Sequence, residues 1–117
     1  MNLTMFRLAA FLCFLAVALG AFGAHSFKAM LTSRDMVGVW EKAVLYHFLH
    51  AIALLVLSVF PNANKTAGVL LLAGTVLFSG SLYLMALTNV RWLGAITPLG
   101  GLCFLVGWAW LIITPAR

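Results

Sequence analysis

The sequence predicts an all-α membrane protein, a bundle of four membrane-spanning helices with a short interfacial helix between the first two. Hydrophobic residues make up 65% of the 117-residue chain and charged residues only 8%, whereas soluble domains average about 25% charged residues. The apolar residues are gathered in four stretches, 8–24, 43–60, 67–87 and 93–113. A chain of this length cannot bury so much apolar surface in its own core. We therefore expect lipid to surround it and residues 1–117 to form one integral membrane domain.

Helices fit these stretches better than barrel strands do. At about 1.5 Å of rise per residue, a helix over 67–87 is roughly 31 Å long, close to a hydrocarbon core of about 30 Å. Backbone groups in lipid must all be hydrogen-bonded, which leaves helices or closed barrels as spanning structures. The apolar runs are continuous rather than alternating, and this pattern excludes a barrel.

The first span carries small residues at every fourth position, Ala16, Gly20 and Ala24. This spacing lets a second helix approach closely. Packing within the chain is the favoured interpretation, and a dimer face is the alternative. Arg7 followed by an apolar run also resembles a signal peptide, but we expect the span to be retained as a packed helix.

Residues 25–42 form the longest connection between spans. The mixed polar and apolar residues of 33–42 predict a short helix at the membrane interface, either separate from the second span or continuous with it. Thr32 and Asp35 are spaced like a capping box at its start. Trp40 is typical of the aromatic belt at headgroup depth.

The remaining spans are separated by short turns. The second span is predicted to end at Pro61, where the polar turn 61–65 begins. Pro98 either kinks a fourth helix that begins at Leu93 or occupies the first turn of a helix that begins at Thr97. The kinked helix is favoured, because the shorter one would have difficulty crossing the bilayer.

Three further glycines lie inside apolar spans: Gly80, Gly100 and Gly101. Helix packing explains them better than a cofactor loop does. Cys13 and Cys103 also lie inside apolar spans and are predicted to be inert thiols. Their spacing indicates no metal site.

The net charge of +5 does not indicate nucleic acid binding. The seven Lys and Arg residues are scattered singly along the chain, mostly at helix ends and in turns, where basic residues contact lipid headgroups. No basic cluster is present that could follow a phosphate backbone. Three of them are expected on one side of the membrane and four on the other, so charge does not determine the orientation.

Ionisable side chains gather where the first span ends and the second begins. His25 ends the first span, and Tyr46, His47 and His50 lie early in the second. His47 and His50 are three residues apart and share one helix face. Together with Trp40, Ala43 and Leu54 they form a stripe that we expect to face protein rather than lipid.

Three interpretations of these residues compete. In the favoured one, each histidine is structural and bonds to a neighbouring helix. In the second, the group moves protons or binds a small polar ligand, because ionisable residues inside membranes are often functional. In the third, His25, His47 and His50 bind a transition metal together with Glu41. No nucleophile–base pair, phosphate loop or carboxylate pair is visible, so neither enzymatic activity nor a cofactor is predicted.

Four motifs resemble the family called domain of unknown function 423. They are the segment 20–25 (GAFGAH), Tyr46 with His50 and Ala51, the segment 74–83 (GTVLFSGSLY), and the segment 97–101 (TPLGG) followed by Phe104, Gly107 and Trp108. The resemblance covers about residues 8–110 and extends to eukaryotic transmembrane protein 256. It implies a four-helix protein of the bacterial inner membrane with no assigned activity and no catalytic residues.

The resemblance also narrows the candidate polar centre. His25 and His50 match the family pattern, whereas His47 does not clearly belong to it, which weakens the three-histidine metal site. The family pattern favours a shared centre of His25, Tyr46 and His50 with the segment 79–83. The polar residues of that segment are Ser79, Ser81 and Tyr83.

Two functions follow from these expectations. The first is a non-catalytic structural or accessory protein that works in the lipid bilayer as a homo-oligomer or within a larger membrane complex. The alternative is a minimal transporter or channel for protons, a metal ion or a small solute, centred on His25, Tyr46 and His50.

Overall fold

The four spans are helical in the computed structural model, which describes residues 1–62 and 64–116. The helices are α1 (Leu3–Ala24), α2 (Lys28–Ser33), α3 (Val37–Ser58), α4 (Lys65–Thr88) and α5 (Thr97–Ile113), with a 3₁₀ turn at Arg91–Ala95. Four segments are long and apolar enough to cross a membrane: α1, α3, α4, and the 3₁₀ turn together with α5. The predicted fold class is confirmed.

Side chains and a left-handed residue close the helix ends. The Asn2 side chain accepts a hydrogen bond from the Met5 N–H, and the Asn64 side chain accepts one from the Ala67 N–H, each at 3.0 Å. Asn is among the preferred residues at this position, because its oxygen satisfies an otherwise free N–H. At the other end of α4, Asn89 adopts a left-handed conformation with φ of 59°, which commonly terminates a helix.

Residues 37–42 are the first turns of α3, which confirms the alternative that this segment is continuous with the second span. The separate short helix between the first two spans lies earlier than predicted and is α2, at Lys28–Ser33. Thr32 and Asp35 form no capping box. The Thr32 hydroxyl donates to the Lys28 carbonyl one turn back, and Asp35 has a φ of 53°. Asp tolerates this left-handed conformation better than most residues, so the chain turns there and α3 can begin two residues later.

The predicted kink at Pro98 is also wrong. α5 begins at Thr97, and Pro98 lies in its first turn, where a missing N–H removes no helical hydrogen bond. α5 is shorter than the kinked helix would be, but the 3₁₀ turn before it adds the missing length. Arg91–Ile113 together make a 23-residue span. Elsewhere α1 begins at Leu3 and α3 at Val37, each before its apolar stretch, whereas α3 ends at Ser58, three residues before Pro61.

The helices follow each other in space in chain order. α1 packs against α3, α3 against α4, and α4 against α5. The two inner helices are therefore the most buried: α3 has eight buried residues and α4 has nine, whereas α1 has two and α5 has three. The bundle is open, with α1 and α5 as its outer helices.

Two apolar clusters hold this arrangement together. One joins all four spans through Ala9, Leu54, Leu57, Ala67, Leu71 and Phe104. The other lies at the corner of α2 and α3, and its buried members are Leu31, Met36, Trp40 and Ala86. Cys13 and Cys103 are half-buried free thiols.

The polar connections at this corner also link two loops. Arg34 Nη1 donates to the carbonyls of Ala86 and Leu87 at 2.8 Å each, and Arg91 Nη2 donates to the Arg34 carbonyl at 3.0 Å. The carbonyls in the last turn of a helix have no partner within that helix. Arg34 therefore closes the end of α4 and ties it to the connection before α3.

Candidate functional site

His50 is buried between α3 and α5, and both of its ring nitrogens are hydrogen-bonded. Nε2 lies 3.1 Å from Trp108 Nε1, and Nδ1 lies 2.7 Å from the Tyr46 carbonyl. Because an indole N–H can only donate, Nε2 is the acceptor and Nδ1 carries the proton. The Phe104 ring stacks on His50 with 3.6 Å between ring centroids. His50 is therefore held as a neutral imidazole with every hydrogen-bonding group used.

His47 is buried on the same stripe but is not fully bonded. Its Nδ1 lies 2.8 Å from the Tyr83 hydroxyl. Its Nε2 has no hydrogen-bond partner among the described residues, although the Leu12 backbone of α1 lies beside the ring. With the proton on Nε2, Nδ1 accepts from the Tyr83 hydroxyl and the Nε2 N–H faces the Leu12 backbone without a well-formed hydrogen bond. Buried N–H groups of this kind are rare in native proteins.

The two serines predicted for the polar centre connect helices. The Ser79 hydroxyl donates to the Ala43 carbonyl at 2.7 Å and joins α4 to α3. The Ser81 hydroxyl donates to the Phe78 carbonyl and lies 2.7 Å from Thr97 Oγ1, at the start of α5. Both serines are buried. Hydrogen bonds of this kind contribute about 0.6 kcal/mol each between membrane helices.

The structure does not bring His25 to the other candidates. His25 is exposed at the end of α1, just beyond Gly23, which the Trp40 ring contacts. His47 lies seven residues further along α3 than Trp40, roughly 10 Å deeper at about 1.5 Å per residue. The predicted shared centre on His25, Tyr46 and His50 is wrong in this respect, because the end of α1 stops at the level where α3 has only begun.

The remaining candidates divide into two sites rather than one. His47 and Tyr83 pair on the α4 side of α3, with the Trp40 ring 4.9 Å from Tyr83. His50 pairs with Trp108 on the α5 side, where Tyr46 lies beside it. Among the residues the structure describes, no three His, Cys, Asp or Glu side chains are close enough to hold a metal ion. The three-histidine metal site is therefore not formed.

The predicted stripe on α3 faces protein along its whole length. Its five members are at most 6% exposed: Trp40, Ala43, His47, His50 and Leu54. The sequence reasoning missed Trp108 as a partner of His50. An indole N–H within an apolar span requires a hydrogen-bond acceptor. This requirement is the feature of the sequence that could have indicated a polar partner for Trp108.

The small residues predicted for helix packing have different surroundings. Ala16 is buried, Gly20 faces Val44 of α3, and a Cβ on Gly100 would collide with the Phe78 backbone of α4. These three lie at helix contacts within the chain.

The other three small residues do not lie at such contacts. Ala24 is exposed. A Cβ on Gly101 would come no closer than 4.0 Å to Phe78, and a Cβ on Gly80 would meet nothing within 4 Å. For Gly101 and Gly80, close packing inside the chain is therefore not the explanation.

Among the grooves that open toward the expected lipid phase, two are lined by polar or aromatic residues of α3. The groove between α1 and α3 has a volume of about 460 Å³ and is lined by apolar residues and Glu41. The groove between α3 and α5 has a volume of about 520 Å³ and is lined by aromatic residues, including His50 and Trp108. His47 lines neither of them.

Residues 19–101 match the family described as "Protein of unknown function (DUF423)". The chain belongs to this family. A UPF0382 membrane protein of Staphylococcus haemolyticus is 48% identical over 104 residues, covering 86% of this chain and 84% of the relative. The UPF0382 membrane protein YwdK of Bacillus subtilis is 41% identical over 109 residues, covering 88% of each chain. No solved structure matches the chain.

Membership of the DUF423 family confirms the resemblance seen in the sequence. The relatives are named as membrane proteins of bacteria, and the chain has four segments able to span a bilayer. The protein is therefore an integral membrane protein of the bacterial inner membrane, from a family whose activity is unassigned.

Proposed function

We propose that this protein is a non-catalytic structural or accessory membrane protein that works as a homo-oligomer or as part of a larger membrane complex. The observation that carries the proposal is the uncovered surface of α1. Only Ala9 and Ala16 are buried among its 22 residues, and its main contact is with α3. A spanning helix with one main neighbour offers the rest of its surface to lipid or to another membrane protein.

The opposite edge of the bundle supports the same proposal. α5 buries only Gly100, Phe104 and Gly107, and its main contact is with α4. Large apolar side chains cover its outer face, with Leu105 70% exposed and Ile112 82% exposed. A second protein can therefore add to the open bundle at either outer helix without displacing a contact within the chain.

The buried polar groups fit a structural role. His50 is fully bonded inside the chain, and Ser79 and Ser81 join neighbouring helices. Apart from His47, these groups are engaged within the chain, which leaves them little capacity to bind or activate a substrate. This arrangement supports an accessory role over an enzymatic one.

Cysteine cross-linking in native membranes tests the proposal. With Cys13 and Cys103 replaced by alanine, a single cysteine is introduced at Phe14 on α1 (68% exposed) or at Leu105 on α5 (70% exposed). Val69 on the inner helix α4, 65% exposed, is the matched control. We expect oxidation to produce cross-linked species at an outer helix and none at Val69.

Mass measurement after extraction with surrounding lipid gives the independent result. The proposal predicts a mass that exceeds one chain. A lone monomer from native lipid, with no cross-link at either outer helix, would contradict it.

One observation favours the transporter or channel as a second candidate. His47 Nε2 is buried and has no hydrogen-bond partner in the described part of the chain, and ionisable groups inside membranes often mark ion pathways. A pathway through His47 requires that the helices α1 and α3 separate, because His47 lines neither groove. Proton or cation flux in liposomes that is lost in His47→Gln and retained in His25→Ala would support this function; no flux from the wild-type protein would exclude it.

A further inference from the structure

The groove between α3 and α5 has features that packing and lipid contact do not explain. We propose that it binds the flat ring of an uncharged, membrane-dissolved molecule that carries a hydrogen-bond acceptor, as the head group of a quinone does. The inference concerns a ligand and does not depend on the proposed accessory role. The groove has a volume of about 520 Å³, which lies within the range of about 300 to 1,000 Å³ that is usual for ligand sites.

The first feature is the pair of accessible aromatic rings in the groove. His50 and Phe104 stack face to face with 3.6 Å between ring centroids and are at most 6% exposed. Tyr46 and Trp108 beside them are 37% and 44% exposed. Aromatic rings prefer offset stacking with other planar π-systems. The accessible rings of Tyr46 and Trp108 therefore favour a planar ring over the flexible chain of an ordinary lipid.

The second feature is a polar group that has no partner among the described residues. His50 and Trp108 are bonded to each other, and the other His50 nitrogen is bonded to the Tyr46 carbonyl. The Tyr46 hydroxyl makes no hydrogen bond to the residues described, and Tyr46 is 37% exposed and lines the groove. A hydroxyl without a partner in hydrocarbon is unfavourable. It would donate to a carbonyl oxygen on a bound ring.

The charge of the groove narrows the ligand class further. Its described lining residues carry no formal charge. A phosphate or ammonium group would lie there without a counter-charge, and burying an unpaired charge is strongly unfavourable. Neutral rings with a carbonyl group remain as the class of ligand that fits both the accessible aromatic rings and the hydroxyl.

The third feature is Gly101, which keeps the groove open. Its neighbour Gly100 is required by packing, because a Cβ there would collide with the Phe78 backbone. A Cβ on Gly101 would lie 4.0 Å from the Phe78 ring, so a side chain could be accommodated and would project into the groove. A glycine inside a helix makes the helix less stable than an alanine at the same position would. Free space for a ligand is a reason to have glycine at this position.

Two other lipid-facing grooves lack this combination. Ser81 and Tyr83 line the groove between α4 and the 3₁₀ turn, but both hydroxyls already have partners within the chain. The groove between α1 and α3 contains the Glu41 carboxylate. Neither offers a neutral hydroxyl beside a pair of accessible aromatic rings.

The test uses the full chain in lipid nanodiscs and a tritium-labelled 2-methyl-1,4-naphthoquinone with a short isoprenoid tail. We expect saturable binding of one molecule per chain above the uptake of empty nanodiscs. Gly101→Leu fills the groove and should weaken binding at least tenfold. Tyr46→Phe removes the free donor found among the described lining residues and should weaken binding about three- to tenfold. A saturated alcohol with the same tail should not compete.

Gly80→Leu is the matched control, because Gly80 also has open space around it but lines a different groove. It should bind the naphthoquinone like the wild-type chain. If Gly101→Leu does not fold, Leu105→Trp occludes the same groove from a position that is 70% exposed. Uptake that does not saturate, or full binding by an occluded variant that is folded, overturns the proposal. Equal competition by the saturated alcohol also overturns it, since the groove would then hold acyl chains.

Discussion

The hydrogen bond between Trp108 and His50 is the best place to measure how this fold is held together. Trp108→Phe keeps an aromatic ring on α5 and removes the N–H that His50 Nε2 accepts at 3.1 Å. His50 is 6% exposed, so the freed nitrogen gains little access to water. Leaving a buried acceptor unsatisfied costs about 1–3 kcal/mol, and we expect Trp108→Phe to lower the free energy of unfolding by that amount.

A double-mutant cycle isolates the pairwise interaction. His50→Leu removes the acceptor and leaves the Trp108 N–H without a partner. The double variant removes both groups, so its loss of stability should be smaller than the sum of the two single losses. Hydrogen bonds between membrane helices average about 0.6 kcal/mol and reach about 1.7 kcal/mol. We expect a coupling energy at the upper end, because the His50 ring is also fixed by stacking on Phe104.

The measurement is reversible unfolding in mixed micelles with increasing denaturing detergent, followed by far-ultraviolet circular dichroism. Trp110→Phe is the matched control, since Trp110 lies on the same helix and is 41% exposed. It should change the free energy of unfolding by less than about 0.5 kcal/mol. Strict additivity in the cycle, or an equal loss in Trp110→Phe, would show that the reasoning about His50 is wrong.

Three other substitutions should give clear results in the same unfolding assay. Gly100→Ala should destabilise the fold by about 1–3 kcal/mol, because its Cβ would collide with the α4 backbone. The control Gly80→Ala should be neutral or stabilising. Equal effects of the two substitutions would contradict the assigned packing. Tyr83→Phe should cost about 1–2 kcal/mol, because His47 would lose its only described partner, and a neutral result would mean that another group satisfies the ring. Arg34→Ala should cost about 1–2 kcal/mol by freeing two carbonyls at the end of α4, and amide hydrogen exchange should rise first in that last turn rather than uniformly.

Local features of the sequence were sufficient to predict the spanning helices and one buried helix face. Apolar length sets the spans, because lipid admits only fully hydrogen-bonded backbone. The stripe on α3 could be predicted because His47 and His50 are polar residues in an apolar helix, and such residues avoid lipid. Gly20 was also identified, since small residues in a stripe mark close helix approach.

The partners within the site could not be predicted in the same way. His50 bonds to Trp108, 58 positions away along the chain, and nothing local to either residue indicates the other. Gly100 and Gly101 are adjacent and alike in sequence, yet one is packed against α4 and the other borders a groove. The left-handed turn at Asp35 and the place of Pro98 in the first turn of α5 could not be predicted either. The first depends on the packing of α2, and the second depends on the packing of the 3₁₀ turn.

Hydropathy alone established that this chain crosses a membrane four times, since a run of apolar residues has the same free-energy preference for lipid whatever its neighbours. Tertiary structure decided how each helix is rotated and how deep each side chain lies. A lipid-facing side and a protein-facing side are equally apolar in a membrane helix, so the sequence carries little pattern to distinguish them. The open order of the helices and the separation of His47 from His50 into two sites follow from that rotation.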